Sequence, residues 1–321
     1  MKVMVIPGLT LPEPNEVALQ RIRDAGGLGT EVIVCPQHEA PEMAGDVEVI
    51  LGLVPPELFQ AAPKLRWVHA IASGVDMFLY PEFVNHPVLL TSEKGLVGEH
   101  LADHGFGLLL MLTRQLATAF AHGTDSWNHR PEMRGKMLEL TGATLGLFGF
   151  GGTGRAMARR GAAFGMQCLG LDCDSVPGST EVPTVLGTDD LPQLLARSDV
   201  LAVCCPLTPQ TRGLFDAALL AQMKPGSYLV NVTRGEVMVE DALIGALKQG
   251  PLAGAALDVA PREPLPADSE LWSLANVVMT PHTAGASQFR AQRNVDRFIR
   301  NLERLQTQQP LEGLIDKVAG Y

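Results

Sequence analysis

The stretch TLGLFGFGGTGRAMARRG, residues 144–161, spaces three glycines as G-x-G-x-x-G, at Gly149, Gly151 and Gly154. An apolar run that predicts a strand precedes the glycines, and a run that predicts a helix follows them. This context is typical of a turn that binds a dinucleotide. The first glycine permits the tight turn, the second lets the pyrophosphate approach, and the third lets the helix pack closely on the strand.

Two features near this Gly-rich turn bear on the cofactor. Gly152 and Thr153 open the predicted helix, and we expect backbone N–H groups there to receive the phosphates. The second strand of the series ends at Asp172, eighteen residues after Gly154, where a carboxylate can bind both ribose hydroxyls. A carboxylate there repels a 2′-phosphate, and the segment LDCDSVPGST contains no Arg or Lys. The sequence therefore favours NAD over NADP.

The Gly-rich turn lies near the middle of a 321-residue chain, and strand-like and helix-like runs alternate on both sides of it. Before it, the strand-like runs are KVMVI, TEVIVC, DVEVILGL, LRWVHAI and VLLT; after it, they are MQCLGLD, DVLAVCC, SYLVNV, LAGAALDV and VVMTPH. Such alternation implies parallel sheets, and a chain of this length can hold two cores. The sequence predicts an α/β protein with two doubly wound parallel-sheet domains.

One predicted helix is unusually long. The run GEHLADHGFGLLLMLTRQLATAFAHG is mostly apolar and predicts a single buried helix from Gly98 to Gly123. Within it, we expect His104 to have a packing role rather than a catalytic one. Trp67 and Trp127 are also expected to be packing anchors.

Charge and composition argue against several classes of partner. Lys plus Arg number 25 against 35 for Asp plus Glu, a net charge of −10, which argues against nucleic acid or an anionic membrane. The apolar run GFGLLLML is interrupted at Arg114, too early for a membrane span, and the start MKVMVIPG shows no secretory signal. The five cysteines form no CxxC and no metal-ligand spacing, so we expect free thiols, a cytoplasmic protein and no metal.

Polar side chains follow three of the predicted strands. Arg234 follows YLVNVT, Asp258 and Glu263 follow LAGAAL, and His282 follows VVMTP. In open α/β sheets the ligand crevice lies beyond the carboxyl ends of the strands. A guanidinium can hold the carboxylate and carbonyl of a 2-oxo acid, and a histidine can give the carbonyl oxygen a proton as hydride arrives. A carboxylate beside that histidine orients it and favours its protonated form.

With these residues, the chain resembles the D-isomer-specific 2-hydroxyacid dehydrogenases, the family that includes glyoxylate/hydroxypyruvate reductases and phosphoglycerate dehydrogenases. The similarity is densest from Leu145 to Ser287, which includes CCPLTPQTRGLFDAALLAQMKPGSYLVNVTRGEVMVEDAL, and it extends more loosely back to LRWVHAIASGVD. The resemblance implies a Rossmann NAD domain, residues 98–285, inserted in a flavodoxin-like substrate domain, residues 1–97 plus 286–321. It also implies NAD-dependent interconversion of a small 2-oxo acid and its D-2-hydroxy acid.

The resemblance assigns roles to the strand-end residues. It implies that Arg234 binds the substrate and polarises its carbonyl, and that Glu263 is the partner of His282, the catalytic acid/base. Relatives form two-fold dimers, and the helix from Gly98 is apolar on more than one face, which one domain surface cannot bury alone. We therefore expect a homodimer.

Four further positions match binding positions of the family. Thr233 and Asp258 are implied to contact the cofactor, Asp258 at the nicotinamide carboxamide. In ASGVD, backbone amides around Ser73 and Gly74 are implied to hold the substrate carboxylate. These assignments complete the predicted site.

Some features leave alternatives open. Thr153 stands where the family usually has Ile or Val, and Ala260 precedes the catalytic Glu where an aromatic residue is common, which leaves the identity of the substrate open. Formate dehydrogenases share the fold, but they resemble this pattern with Gln in place of Glu263. A second class of function is a non-catalytic, NAD-sensing interaction protein of the corepressor type, which usually carries partner-binding extensions that this sequence does not show.

Overall fold

The chain folds as two compact α/β units, and the computed structural model describes all residues from Met1 to Tyr321. Unit 1 comprises Met1–Val97 and Ala286–Tyr321, and unit 2 comprises Gly98–Gly285. Each unit is built on one parallel sheet, with five strands in unit 1 and seven in unit 2. The predicted fold class is confirmed.

The two sheets have different strand orders. Their strands are β1 Lys2–Val5, β2 Glu31–Val34, β3 Val49–Leu51, β4 Trp67–His69, β5 Leu89–Thr91, β6 Thr144–Phe148, β7 Gln167–Leu171, β8 Val185–Leu186, β9 Val200–Val203, β10 Ser227–Asn231, β11 Leu252–Leu257 and β12 Val277–Met279. Unit 1 has the flavodoxin-like order β2-β1-β3-β4-β5, and unit 2 has the order β12-β11-β10-β9-β6-β7-β8. The order of unit 2 is Rossmann-like, because it extends in both directions from its first strand, β6.

Twelve α-helices connect or cover the strands. They are α1 Glu16–Gly26, α2 Ala40–Met43, α3 Pro56–Ala61, α4 Pro81–Val84, α5 Gly98–Thr113, α6 Leu116–His122, α7 Arg130–Lys136, α8 Gly152–Ala163, α9 Leu191–Arg197, α10 Ala217–Leu220, α11 Glu240–Lys248 and α12 Arg290–Gln306. None of them combines the length and the apolarity that crossing a membrane requires.

The last helix completes the core of unit 1. Although α12 is rich in arginine, Val295, Phe298, Ile299 and Leu302 recur along it at helical spacing and are buried. They share a core cluster with residues of β1, β3 and β4, and the ring of Phe298 stacks on that of Trp67 with centroids 5.0 Å apart. Residues from the end of the chain therefore bury part of a sheet formed by its first 97 residues.

The predicted helix from Gly98 to Gly123 is wrong in its length, because two helices, α5 and α6, occupy this segment. Gln115 separates them with a left-handed backbone, φ 55°. Its backbone N–H and its side-chain amide both donate to the carbonyl oxygen of Leu112, each at 3.0 Å. The side chain thus caps the end of α5, and neither glycine nor proline marks the break in the sequence.

The start of α5 is pressed against the start of α8. A Cβ atom on Gly98 would lie 2.4 Å from the carbonyl oxygen of Gly152, so only glycine permits this approach. On the outer side of the contact, Arg160 of α8 bonds Asp103 at 2.7 Å and Glu99 at 3.0 Å. These ion pairs are partly exposed and contribute little stability; the backbone contact fixes the position of α5.

The segment after α5 carries an exposed apolar patch, which we call the arm patch: Leu116, Phe120, Trp127 and Met137. Trp67 is buried as expected, but the expectation that Trp127 is a packing anchor is wrong for this unit, since its side chain is 79% exposed.

The argument that one domain cannot bury α5 is also wrong. The apolar residues of α5 pack within unit 2, in one core cluster with residues of α8, β6 and β10.

A buried histidine in unit 1 couples stability to pH. His69 ends β4 with no exposed surface, and its Nδ1 lies 2.6 Å from the hydroxyl oxygen of Thr91. Trp67 donates to the same oxygen at 2.9 Å. Burial, aided by the positive charge of Arg297, lowers the pKa of His69 from 6.5 to about 3. The folded protein therefore keeps this ring neutral over a range in which the unfolded chain protonates it.

The free energy of unfolding should consequently fall as the pH decreases from about 6.5 toward 3, by at most about 1.4 kcal/mol per pH unit from this group. Above pH 6.5 neither state is protonated and the contribution is constant. His69→Asn keeps a polar atom near Thr91 but does not titrate, so its stability should vary less through this window. Urea unfolding of both proteins measures the difference, and parallel pH profiles would contradict the prediction.

Candidate functional site

The Gly-rich turn has the backbone geometry that the sequence predicts. Gly149 has φ 100°, and a Cβ on it would lie 2.7 Å from the backbone nitrogen of Cys205. A Cβ on Gly154 would lie 2.2 Å from the carbonyl oxygen of Gly149. A Cβ on Gly151, by contrast, would meet nothing within 4 Å. Close contacts within the protein thus explain why Gly149 and Gly154 are glycines, whereas the space beside Gly151 is open to a ligand.

Asp172 lies directly beside this turn. Its Oδ2 accepts from the N–H of Phe150 at 2.7 Å, and its Oδ1 accepts from the N–H of Asp174 at 3.0 Å. Arg155 also lies at this turn, although the sequence did not indicate it as a residue of the site. Its guanidinium lies 4.6 Å from the ring centroid of Phe150 and donates to the carbonyl oxygens of residues 177 and 178. Its position directly after the third glycine was the available signal.

The segment after β10 places Arg234. Asn231, the last residue of the strand, donates from Nδ2 to the carbonyl oxygen of Arg234 at 2.9 Å and accepts from the N–H of Thr233 at 3.1 Å. A Cβ on Gly235 would lie 1.9 Å from the backbone of Ala260, so the segments after β10 and β11 are in backbone contact. Arg234 is half-buried and its Nη1 donates to the carbonyl oxygen of Thr233 at 3.0 Å.

Glu263 and His282 form a hydrogen-bonded pair. The Nδ1 atom of His282 lies 2.7 Å from Oε2 of Glu263, and the N–H of Ala260 donates to Oε1 at 3.0 Å. Both side chains are partly exposed, 43% for His282 and 38% for Glu263. With Nδ1 donating to the carboxylate, Nε2 is the ring atom available for proton exchange with a ligand. This arrangement fixes the orientation of the imidazole ring.

Asp258 organises the segment that carries His282. The carboxylate is buried; its Oδ1 accepts from the hydroxyl of Thr280 at 2.6 Å and the N–H of Thr283 at 2.8 Å, and its Oδ2 accepts from the N–H of Ala284 at 2.7 Å. The carbonyl oxygen of Asp258 accepts from the N–H of His282 at 2.7 Å. A nicotinamide contact of Asp258 stays a prediction, and the side chain of Asp258 has no exposed surface in this structure.

The residues predicted at the strand ends do come together in unit 2. Arg234, Glu263 and His282 follow β10, β11 and β12, which are neighbours in the sheet. Ser73 and Gly74 belong to unit 1, where they are half-buried in the segment after β4. That segment is tied to its own unit by the hydroxyl of Thr10, which donates to the carbonyl oxygen of Ile71 at 2.6 Å.

A surface cluster in unit 2 contains potential metal ligands that no sequence motif indicates. The rings of His122 and His129 stack with centroids 3.7 Å apart, and Nε2 of His129 lies 2.9 Å from Oδ2 of Asp125. The three potential ligand atoms lie within 4.8 Å of one another. The expectation that the protein needs no metal stays a prediction.

Comparison with known proteins places this geometry in a family. The model of the D-isomer specific 2-hydroxyacid dehydrogenase NAD binding domain matches residues 106–284. A glyoxylate reductase of Korarchaeum cryptofilum is 33% identical over 297 residues, 91% of this chain and 82% of the relative. A glyoxylate reductase of Thermofilum pendens is 35% identical over 256 residues, 77% of this chain and 73% of the relative. The structure of the NADPH-dependent glyoxylate/hydroxypyruvate reductase of Sinorhizobium meliloti matches with a TM-score of 0.81 and 27% identity, covering 100% of both chains.

The glycines of the turn give a matched pair of variants. Gly151→Ala should leave Tm within about 2 °C of the parent but weaken NADH binding at least about tenfold, because its methyl group enters space open to the ligand. Gly154→Ala should lower Tm by at least about 4 °C, because its methyl group collides with backbone. Thermal unfolding and NADH fluorescence titration measure the two effects. Unchanged NADH affinity in Gly151→Ala would place the cofactor elsewhere.

Proposed function

The chain belongs to the D-isomer specific 2-hydroxyacid dehydrogenase family, and on this premise we propose that it reduces a small 2-oxo acid to the D-2-hydroxy acid with NADH, and catalyses the reverse reaction. The observation that carries the proposal is the bond of 2.7 Å between His282 and Glu263, next to the strand end that bears Arg234. Because the relatives described above are named glyoxylate reductases, glyoxylate is the first substrate to test.

The proposed site divides substrate binding, hydride transfer and proton transfer among its groups. The bound cofactor supplies the hydride to the carbonyl carbon. The guanidinium of Arg234 binds the substrate carboxylate and polarises the carbonyl. Nε2 of His282 gives its proton to the carbonyl oxygen as negative charge develops there, and takes a proton back in the oxidative direction. Glu263 holds Nδ1–H and stabilises the imidazolium. The backbone around Ser73 and Gly74 is proposed to bind the carboxylate as well.

The cofactor is proposed to be NAD(H). Asp172 supports this choice, because the N–H of Phe150 holds its carboxylate beside the turn at 2.7 Å and a 2′-phosphate would be repelled there. Thr233 and Asp258 are proposed to contact the nicotinamide end, and Gly152 and Thr153 the phosphates. The Sinorhizobium relative is named NADPH-dependent, so the cofactor proposed for this chain differs from that of this relative.

A panel of 2-oxo acids, including glyoxylate, hydroxypyruvate and pyruvate, tests the function. We expect NADH oxidation with at least one of them, and kcat/KM with NADH at least about tenfold above that with NADPH, the size of one lost charged hydrogen bond. Equal or better activity with NADPH would remove Asp172 from its proposed role. Tight NADH binding without turnover of any 2-oxo acid would instead favour a non-catalytic NAD-sensing protein.

Glu263→Gln tests the proposed acid/base pair. Because the amide carries no charge to stabilise the imidazolium, kcat/KM for reduction at neutral pH should fall at least about tenfold. Oxidation, which needs the neutral imidazole, should fall less, so the ratio of reduction to oxidation decreases. Glu270→Gln is the matched control, since Glu270 bonds Lys248 at 2.6 Å on the surface. An unchanged ratio in Glu263→Gln, with the protein folded, would mean that His282 acts without its partner.

We also propose a homodimer, formed through the arm patch. Leu116 and Phe120 lie in α6, Trp127 lies in the turn after α6 and Met137 directly follows α7; all four are at least 40% exposed. Several exposed large apolar side chains in one short segment are typical of a protein interface. Light scattering should give a mass of roughly twice 34.4 kDa. Trp127→Glu should lower the measured mass toward that of a monomer, and a monomeric parent protein would contradict the proposal.

We propose that the protein works in a reducing compartment, the cytoplasm, because of the state of its cysteines. All five are free thiols. Burial raises the pKa of Cys205 to about 12 and that of Cys168 to about 11, so these thiols stay protonated and unreactive at neutral pH.

A further inference from the structure

One hydrogen-bond chain in unit 2 runs from the middle of α5 to the segment that carries His282. Nε2 of His104 lies 2.7 Å from the hydroxyl oxygen of Thr280, and that oxygen lies 2.6 Å from Oδ1 of Asp258. Nε2 of His104 is also 3.4 Å from the same carboxylate oxygen. His104 is therefore bonded to the loop, and the expectation of a purely packing role for it is incomplete.

We propose that His104 and Thr280 are positioning residues that hold the catalytic His282 segment in place through Asp258. The inference rests on the proposed function, because it assigns these residues to the same acid/base group. Neither side chain is proposed to touch the substrate. Their effect is transmitted through the buried carboxylate.

The direction of every bond in the chain follows from the chemistry of the groups. The carboxylate of Asp258 can only accept, so the single hydroxyl proton of Thr280 is donated to it. The oxygen of Thr280 then accepts from His104, which must carry a proton on Nε2. The order is His104 Nε2–H to Thr280 O–H to Asp258. Because the hydroxyl of Thr280 is the acceptor of one bond and the donor of the other, replacing Thr280 by an isosteric apolar residue removes both of these bonds.

Asp258 needs this support because the segment it holds is strained. His282 has φ 53°, a left-handed conformation that is unfavourable for a residue with a Cβ. The carbonyl oxygen of Asp258 accepts from the N–H of His282. In its carboxylate, Oδ1 accepts from the N–H of Thr283 and Oδ2 accepts from the N–H of Ala284. Such a conformation persists only when its surroundings determine it. Rotation of the carboxylate would release two backbone N–H groups next to His282.

Because His104 lies on α5, the hydrogen-bond chain is connected through this helix to the Gly-rich turn. The same helix begins at Gly98, in backbone contact with Gly152 at the Gly-rich turn. One rigid helix thus touches the helix start proposed to bind the cofactor phosphates and, through His104, the segment that bears His282. The residues proposed to bind the cofactor and the segment that carries the proton donor are thus attached to the same helix, and an error of about 1 Å in the position of a reacting group costs on the order of 100-fold in rate.

Two pairs of variants test the proposal in the full-length protein. Thr280→Val and His104→Leu should lower kcat with the best 2-oxo acid by about 10- to 100-fold, with the Kd of NADH changed less than about threefold and the fold retained. Thr280→Ser and His104→Gln keep the hydroxyl and the Nε-type N–H donor, and they should recover kcat to within about threefold. Thr113→Val is the matched control, because it removes a buried hydroxyl of α5 that bonds only the carbonyl oxygen of Leu109, at 3.0 Å. Wild-type kcat in Thr280→Val, or an equal loss in Thr113→Val, would overturn the proposal.

Histidine-selective ¹⁵N NMR separates this inference from the proposed function. His104 should carry its proton on Nε2, and its Nε2 signal should shift in Thr280→Val but not in Thr113→Val. A neutral His104 with its proton on Nδ1 would overturn the chain of bonds even in an active enzyme. If no 2-oxo acid is reduced although the Nε2–H form is observed, the hydrogen-bond chain stands and the proposed function fails.

Discussion

The contact on which the rest of unit 2 depends is the backbone approach of α5 to the first turn of α8. It exists because Gly98 has no side chain to place against Gly152. Close contact at that point lets a largely apolar helix lie along α8 and the sheet, burying residues such as Phe106 and Leu109 in one core. It also fixes a helix that reaches both the Gly-rich turn and the bonded partners of His104. The exposed ion pairs between α5 and α8 contribute little to the stability of the contact, although they favour one orientation of the two helices.

Parallel topology explains how distant parts of the sequence meet in the proposed site. β10, β11 and β12 are adjacent and run in the same direction, so Arg234, Glu263 and His282 emerge from one edge of the sheet. Gly235 then permits backbone contact with Ala260, which itself donates to Glu263. The sheet provides the approximate placement, and short-range backbone contacts provide the final geometry.

The sequence predicted the features that depend on local pattern and missed those that depend on tertiary contacts. Buried parallel strands appear as short apolar runs, and the requirement for Gly149 and Gly154 is visible as a spacing. The break in α5 was missed because a glutamine side chain, rather than glycine or proline, caps the helix. The exposure of Trp127 was missed because hydrophobicity alone does not indicate which surface covers a residue. The bond between His104 and Thr280 joins positions 176 residues apart, and no periodicity encodes it.

The discontinuity of unit 1 has a consequence for synthesis on the ribosome. Unit 2 is one uninterrupted segment, so all of its core residues have been translated before the last helix is made. Unit 1 lacks Phe298 and Leu302, which cover Trp67 and its neighbours, until α12 has been translated. Domains generally fold as units as they emerge, so residues 1–97 finish folding after unit 2, although they precede it in the sequence. Until then their sheet exposes an apolar face, and this nascent chain is the stage at which chaperone contact and aggregation concentrate.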